Sequence, residues 1–265
     1  MRATAIPGKI KRGAVSGSIA ALMLLCMVPV ASAQLAAVGP NDPVNHYPSW
    51  YQDQNLLQLE LCIPNGGGCL ADPPVTGNVF SQTTGFGEEA FYWSAEASVP
   101  AGNTALVSGI VILALEAAYA SAVPRDGRQI VFSRLRIRLN GLPNAGPYTV
   151  IHPYGQRTFT ATPDPAVTGT FLINFTQDVG AAAVGNFTRA LNGPITGPFL
   201  TAVNPAPPAG FIGNPRRLQT VTGSPTGNNF IRIIGPAGTD IGGPAATPNT
   251  ITIRRFNLMG RIFTP

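Results

Sequence analysis

Val131-Phe132-Ser133-Arg134-Leu135-Arg136-Ile137-Arg138-Leu139 alternates side-chain character almost residue by residue. Successive side chains of a strand point to opposite faces. A strand here puts Val131, Leu135, Ile137 and Leu139 on one face and Arg134, Arg136 and Arg138 on the other. The stretch therefore predicts a half-buried β-strand with an arginine stripe on its open side.

The same period recurs on either side. Leu57-Gln58-Leu59-Glu60-Leu61 alternates strictly. In Phe91-Tyr92-Trp93-Ser94-Ala95-Glu96-Ala97, the pattern places Phe91, Trp93 and Ala95 inward and Ser94 and Glu96 outward. Residues 148–151 and 157–161 flank His152-Pro153-Tyr154-Gly155, which reads as a turn. Residues 105–120 are nearly continuous apolar, the pattern of either a buried helix or a core strand. The β-branched Val107, Ile110, Val111 and Ile112, with Gly109 among them, favour a long core strand. Glu116 argues against a membrane span.

Farther on, residues 170–176, 218–222, 230–234 and 250–263 read as strands. Residues 193–215 are Pro/Gly-rich and long for a structureless loop in a compact domain. The chain has 30 Gly and 26 Pro in 265 residues, and they cluster between short apolar segments. The fold class expected is all-β, as two β-sandwich-like, Ig-like halves. Pro163-Asp164-Pro165 marks the expected boundary, giving domains 34–164 and 165–265. An outer-membrane barrel fits less well, because the strands are few and unevenly spaced and prolines are dense.

Residues 1–33 read as a cleaved signal peptide. Arg2, Lys9, Lys11 and Arg12 form a positive region, residues 15–30 are mostly apolar, and Ala31-Ser32-Ala33 is a small-residue cleavage site before Gln34. The whole chain carries 17 Lys+Arg and 12 Asp+Glu, net +5; the four cations of the signal leave 13 against 12. That balance excludes nucleic acid as an expected partner. The expected location is secreted, periplasmic or cell-envelope associated, with no stable membrane insertion after cleavage. Cys26 leaves with the signal, so Cys62 and Cys69 remain. An even number in an exported chain predicts a disulfide across the short loop between them.

The sequence offers no convergent catalytic set, no metal motif and no cofactor fingerprint. Gly223-Ser224-Pro225-Thr226-Gly227 has its serine in the wrong place for a nucleophile elbow. The binding candidates are Trp50, Tyr51 and Tyr154 as stacking platforms, His152 as a ligand or base, and the stripe Arg134, Arg136 and Arg138. Glu96 and Glu116 lie on neighbouring candidate strands and are expected to pair with the stripe across the sheet.

Several phrases occur together: Pro48-Ser49-Trp50-Tyr51-Gln52-Asp53, Leu59-Glu60-Leu61-Cys62, Glu88-Glu89-Ala90-Phe91-Tyr92, Leu115-Glu116-Ala117-Ala118, His152-Pro153-Tyr154-Gly155 and Gly197-Pro198-Phe199-Leu200. In that order they resemble an uncharacterised group of exported bacterial β-rich proteins with no assigned activity. The resemblance spans most of the chain after residue 33. It implies a secreted or surface-associated module and brings no catalytic residues with it. The expected function is thus a non-enzymatic interaction module whose partner is a protein or glycan at the cell surface. A glycan-binding module and an extracellular hydrolase are the alternatives. Intact mass of the exported protein, with and without reductant, is expected to reveal one disulfide; two free thiols at Cys62 and Cys69 would contradict the cysteine count.

Overall fold

The structure, a computed structural model, describes Met1 and residues 34–64, 68–99 and 107–265. The expected signal peptide lies outside the described residues. The first strands are β1 (Ala37–Val38), β2 (Tyr51–Gln52), β3 (Gln58–Glu60), β4 (Glu89–Val99), β5 (Ser108–Tyr119), β6 (Gln129–Leu142) and β7 (Gly146–His152). They are followed by β8 (Gly155–Pro163), β9 (Phe171–Val179), β10 (Thr201–Asn204), β11 (Thr220–Thr222), β12 (Ile231–Ile234), β13 (Thr250–Ile253) and β14 (Asn257–Ile262). The short helix α1 (Val79–Thr84) is capped by the Asn78 side chain, and a 3-10 helix spans Phe187–Asn192. The all-β fold is present, and residues 108–119 are strand rather than helix.

Among the described residues, twelve strands join in one sheet, ordered β1-β2-β3-β14-β4-β5-β6-β9-β8-β7-β12-β13; β10 and β11 pair separately. β5 and β6 run antiparallel without a register break from Ser108↔Asn140 to Tyr119↔Gln129. Paired residues point to the same side of a sheet. Trp93, Leu115 and Leu113 on β4 and β5 therefore share an inner face with Ser133, Leu135 and Ile137 of β6, and all are buried. At the far end of the sheet, Tyr148, Val150, Ile231 and Ile233 are buried in the same core. β13 packs against β4, and the Trp93 and Tyr154 rings meet edge-on at 5.9 Å. The sheet has curled until its two ends share one interior, each large side chain contributing roughly 1.5–3 kcal/mol by burial.

Two expectations change here. Register shifts between Phe91 and Trp93, so Phe91 pairs with Glu116 while Trp93 pairs with Leu115. The bulge turns Phe91 to the outer face, opposite to strict alternation. The Pro163-Asp164-Pro165 stretch is a strand connection: Thr162 pairs with Leu172 and Pro163 with Phe171. β9 sits between β6 and β8. Residues 34–265 belong to a single compact unit, so the division at 164/165 is replaced by one sheet. Strand pairing across the Pro-Asp-Pro turn buries more backbone polarity than a linker would.

The Pro/Gly-rich stretch 193–215 also has structure. Ile195, Phe199, Leu200 and Ile212 are buried, and β10 pairs with β11. Asp53, 1% exposed, holds this stretch to the N-terminal segment. Its Oδ1 accepts from the Asn55 and Leu57 amides at 2.8 and 3.0 Å, and its Oδ2 from the Phe199 amide at 2.8 Å. The Cys62–Cys69 disulfide is present, with Cα atoms 5.3 Å apart, packed on Met259. Removing the carboxylate strands several amides at once. Asp53→Ala is expected to lower stability by ~3 kcal/mol in urea denaturation, and Asp53→Asn by less; an unchanged midpoint for the alanine variant would show that Asp53 does not tie the segments.

Candidate functional site

The outer face of the sheet is built from the positions that alternation leaves on the open side. Asn257, Glu96, Ile112, Arg136 and Thr176 form one row across β14, β4, β5, β6 and β9. On one side lies the row Met259, Ser94, Ala114, Arg134, Asp178. On the other lies Ser98, Ile110, Arg138, Asn174. Exposure rises along β6, from buried Arg134 through half-buried Arg136 to exposed Arg138.

Arg134 is the closed end of the stripe. Its Nε and Nη2 donate to the two oxygens of Asp178, both at 2.7 Å. Its Nη1 lies 2.8 Å from Glu116 Oε2 and 4.0 Å from Glu89 Oε1, and its guanidinium covers the Phe132 ring at 4.8 Å. The two-pronged bond to Asp178 already balances the arginine. Glu116, with 2% of its side chain exposed, is left with an oxygen that makes no aligned hydrogen bond. Burial pushes its carboxyl up to about 8, against the pull of Arg134. The same carboxylates hold the Arg134 guanidinium in its charged form, outweighing the opposing effect of its own burial.

The open end differs. Arg136 donates to Thr176 Oγ1 at 3.4 Å, and among the described residues neither Arg136 nor Arg138 makes an ion pair. Burial and the neighbouring Arg134 and Arg138 lower the affinity of Arg136 for its proton. Glu116 meets the stripe as expected. Glu96 does not, since Ile112 stands between it and Arg136. Asp178, the main partner of Arg134, comes from β9; only the β6–β9 register brings it there, although Asn174, Thr176 and Asp178 alternate visibly in the sequence.

The aromatic candidates separate. Tyr51 is fully buried and donates to the Phe187 carbonyl at 2.9 Å. Tyr154 is buried and donates to the Pro198 carbonyl at 2.9 Å. Neither presents a ring to a ligand, because each is used as a core anchor with its hydroxyl satisfied. Trp50 is half-exposed, with Gly39 under its ring and Phe263 at 6.5 Å.

His152 is buried in the β7–β8 turn, where its Nδ1 accepts from the Tyr154 amide at 3.3 Å. Among the described residues, no carboxylate or hydroxyl hydrogen-bonds it, and no cluster of three or more His, Cys, Asp or Glu is placed to hold a metal ion. No described helix is long and apolar enough to cross a membrane.

Comparison with protein-family models, curated proteins and solved structures finds no match to this chain.

Burial, helped by the Arg157 charge, lowers the His152 pKa to about 4. The unfolded chain binds this proton more readily than the folded chain. Stability from the neutral ring is thus complete above about pH 6.5 and is lost as pH falls toward about 4, by ~3 kcal/mol. Urea denaturation at neutral pH and near pH 4 is expected to show a smaller acid loss for His152→Gln than for the natural chain. An identical acid loss would assign the effect to other groups.

Proposed function

We propose that the protein is an exported, non-enzymatic interaction module that engages its ligand through the outer face of its sheet at Arg136 and Arg138. One observation carries this. Arg134 is bound by Asp178 and Glu116, whereas Arg136 and Arg138, on the same face of the same strand, make no ion pair among the described residues. An arginine already clamped by carboxylates has little left to offer a ligand; two open ones do. They stand on the long central strand β6, held on both sides by β5 and β9, so the backbone beneath them is rigid.

Export rests on residues 1–33, whose composition is that of a secretory signal, and on the disulfide, which suits an oxidising compartment. The aromatic-platform version of glycan binding loses two of its three rings to the core. A hydrolase centred on His152 would need an acid or hydroxyl beside a ring that instead hydrogen-bonds backbone.

The exported protein, from Gln34 onward, is expected to bind the envelope fraction of its native cell. The charge-reversed double variant Arg136→Glu/Arg138→Glu is expected to lose most of that binding while melting at an unchanged temperature. Full binding by the variant would remove this face from the function.

A further inference from the structure

We infer that the ligand of this face is a carboxylated, linear polysaccharide. The inference rests on the interaction face proposed above and names its chemistry.

The outer face does not end at β9. Cα partners carry it on through β8, β7, β12 and β13: Thr158 pairs with Thr149, Thr149 with Ile234 and Ile234 with Thr250. In the next row Ile151 pairs with Arg232, and Arg232 with Thr252. Thr158 and Thr160 are exposed. At the outer positions of these strands and of β6 and β9, the one carboxylate is Asp178, and Arg134 occupies both of its oxygens. From β6 toward β13 the face thus offers guanidinium charge among hydroxyls, with Glu96 and Glu116 on the β4–β5 side, although the chain after residue 33 is almost neutral. That is charge complementarity to an anion, confined to one side of the sheet.

Three features select an acidic glycan over an acidic protein. First, stable protein interfaces centre on buried aromatic anchors. Here the ring on the arginines' own strand, Phe132, is 4% exposed and already capped by Arg134. Second, apolar side chains around the arginines stand beside polar ones: Ile110 beside Arg138, Ile112 beside Arg136, Ile234 between Thr149 and Thr250. A sugar ring has the same mosaic, a small C–H patch bordered by hydroxyls. Third, Arg136 and Arg138 lie about 7 Å apart along one strand. Each guanidinium presents a planar fork matched to a carboxylate, which suits a polymer bearing an acid on successive sugars.

Polygalacturonate and neutral dextran are the probes, used with the exported protein in affinity electrophoresis and calorimetry. Polygalacturonate is expected to retard the protein at low salt, with retardation fading as salt screens the charges. Dextran is expected not to. Arg136→Gln/Arg138→Gln is expected to weaken polygalacturonate binding by about tenfold or more, whereas Arg125→Gln/Arg217→Gln, at exposed arginines elsewhere, leaves it unchanged. Equal retardation by dextran, no retardation by polygalacturonate, or equal binding by the Arg136/Arg138 variant would each overturn the inference. If the envelope still binds in an Arg136- and Arg138-dependent way while polygalacturonate does not, the ligand class is wrong and the face stands. If neither binds, both fall.

Discussion

The unbroken register between β5 and β6 is the constraint on which the rest depends. From Ser108↔Asn140 to Tyr119↔Gln129 each residue of one strand has a fixed partner on the other. A slip of one residue would turn Leu113, Leu115, Leu135 and Ile137 to solvent and drive Arg134, Arg136 and Arg138 into the core. Moving those arginines into an apolar interior costs far more than any gain in pairing. Side-chain polarity therefore locks the backbone, and the locked backbone sets the height and spacing of every outer-face group. The sheet's register does shift elsewhere, at the β4 bulge around Tyr92 and between Leu139 and Leu142 where β6 meets β9, and the β5–β6 pairing stays unbroken between them.

On that frame the three arginines of one strand acquire three environments. Arg134 lies where Phe132, Glu89 and Asp178 close over it, and its charge is neutralised locally. Burial raises the carboxyl pKa of Glu116 beside it, against the pull of Arg134. Toward Arg138 the face opens, and no carboxylate from β5 or β9 reaches across. Structure and proposed binding are thus divided along a single strand by how deeply each position is covered.

The tyrosines explain how so many glycines and prolines stay ordered. Tyr47 donates to the Ala118 carbonyl, Tyr51 to Phe187, Tyr92 to Pro48 and Tyr154 to Pro198. Each ring fills the core while its hydroxyl donates to a backbone carbonyl distant in the chain. Loop backbone is thereby stitched to the sheet, with Asp53 doing the same for amides.

By itself the sequence determined the all-β class, the faces of β6, the pairing of Cys62 with Cys69 and the meeting of Glu116 with the arginine stripe. These follow from local period and composition, and strands two apart in the sheet order were not needed to see them. Tertiary structure alone decided that β9 lies beside β6, and hence that Asp178 and not Glu96 clamps Arg134. It also joined residues on both sides of Pro163-Asp164-Pro165 in one sheet, turned Phe91 outward through a bulge, and drew Tyr51 and Tyr154 inside. Each depends on contacts between residues far apart in the chain, and alternation records which face a side chain takes but not which strand lies next to it.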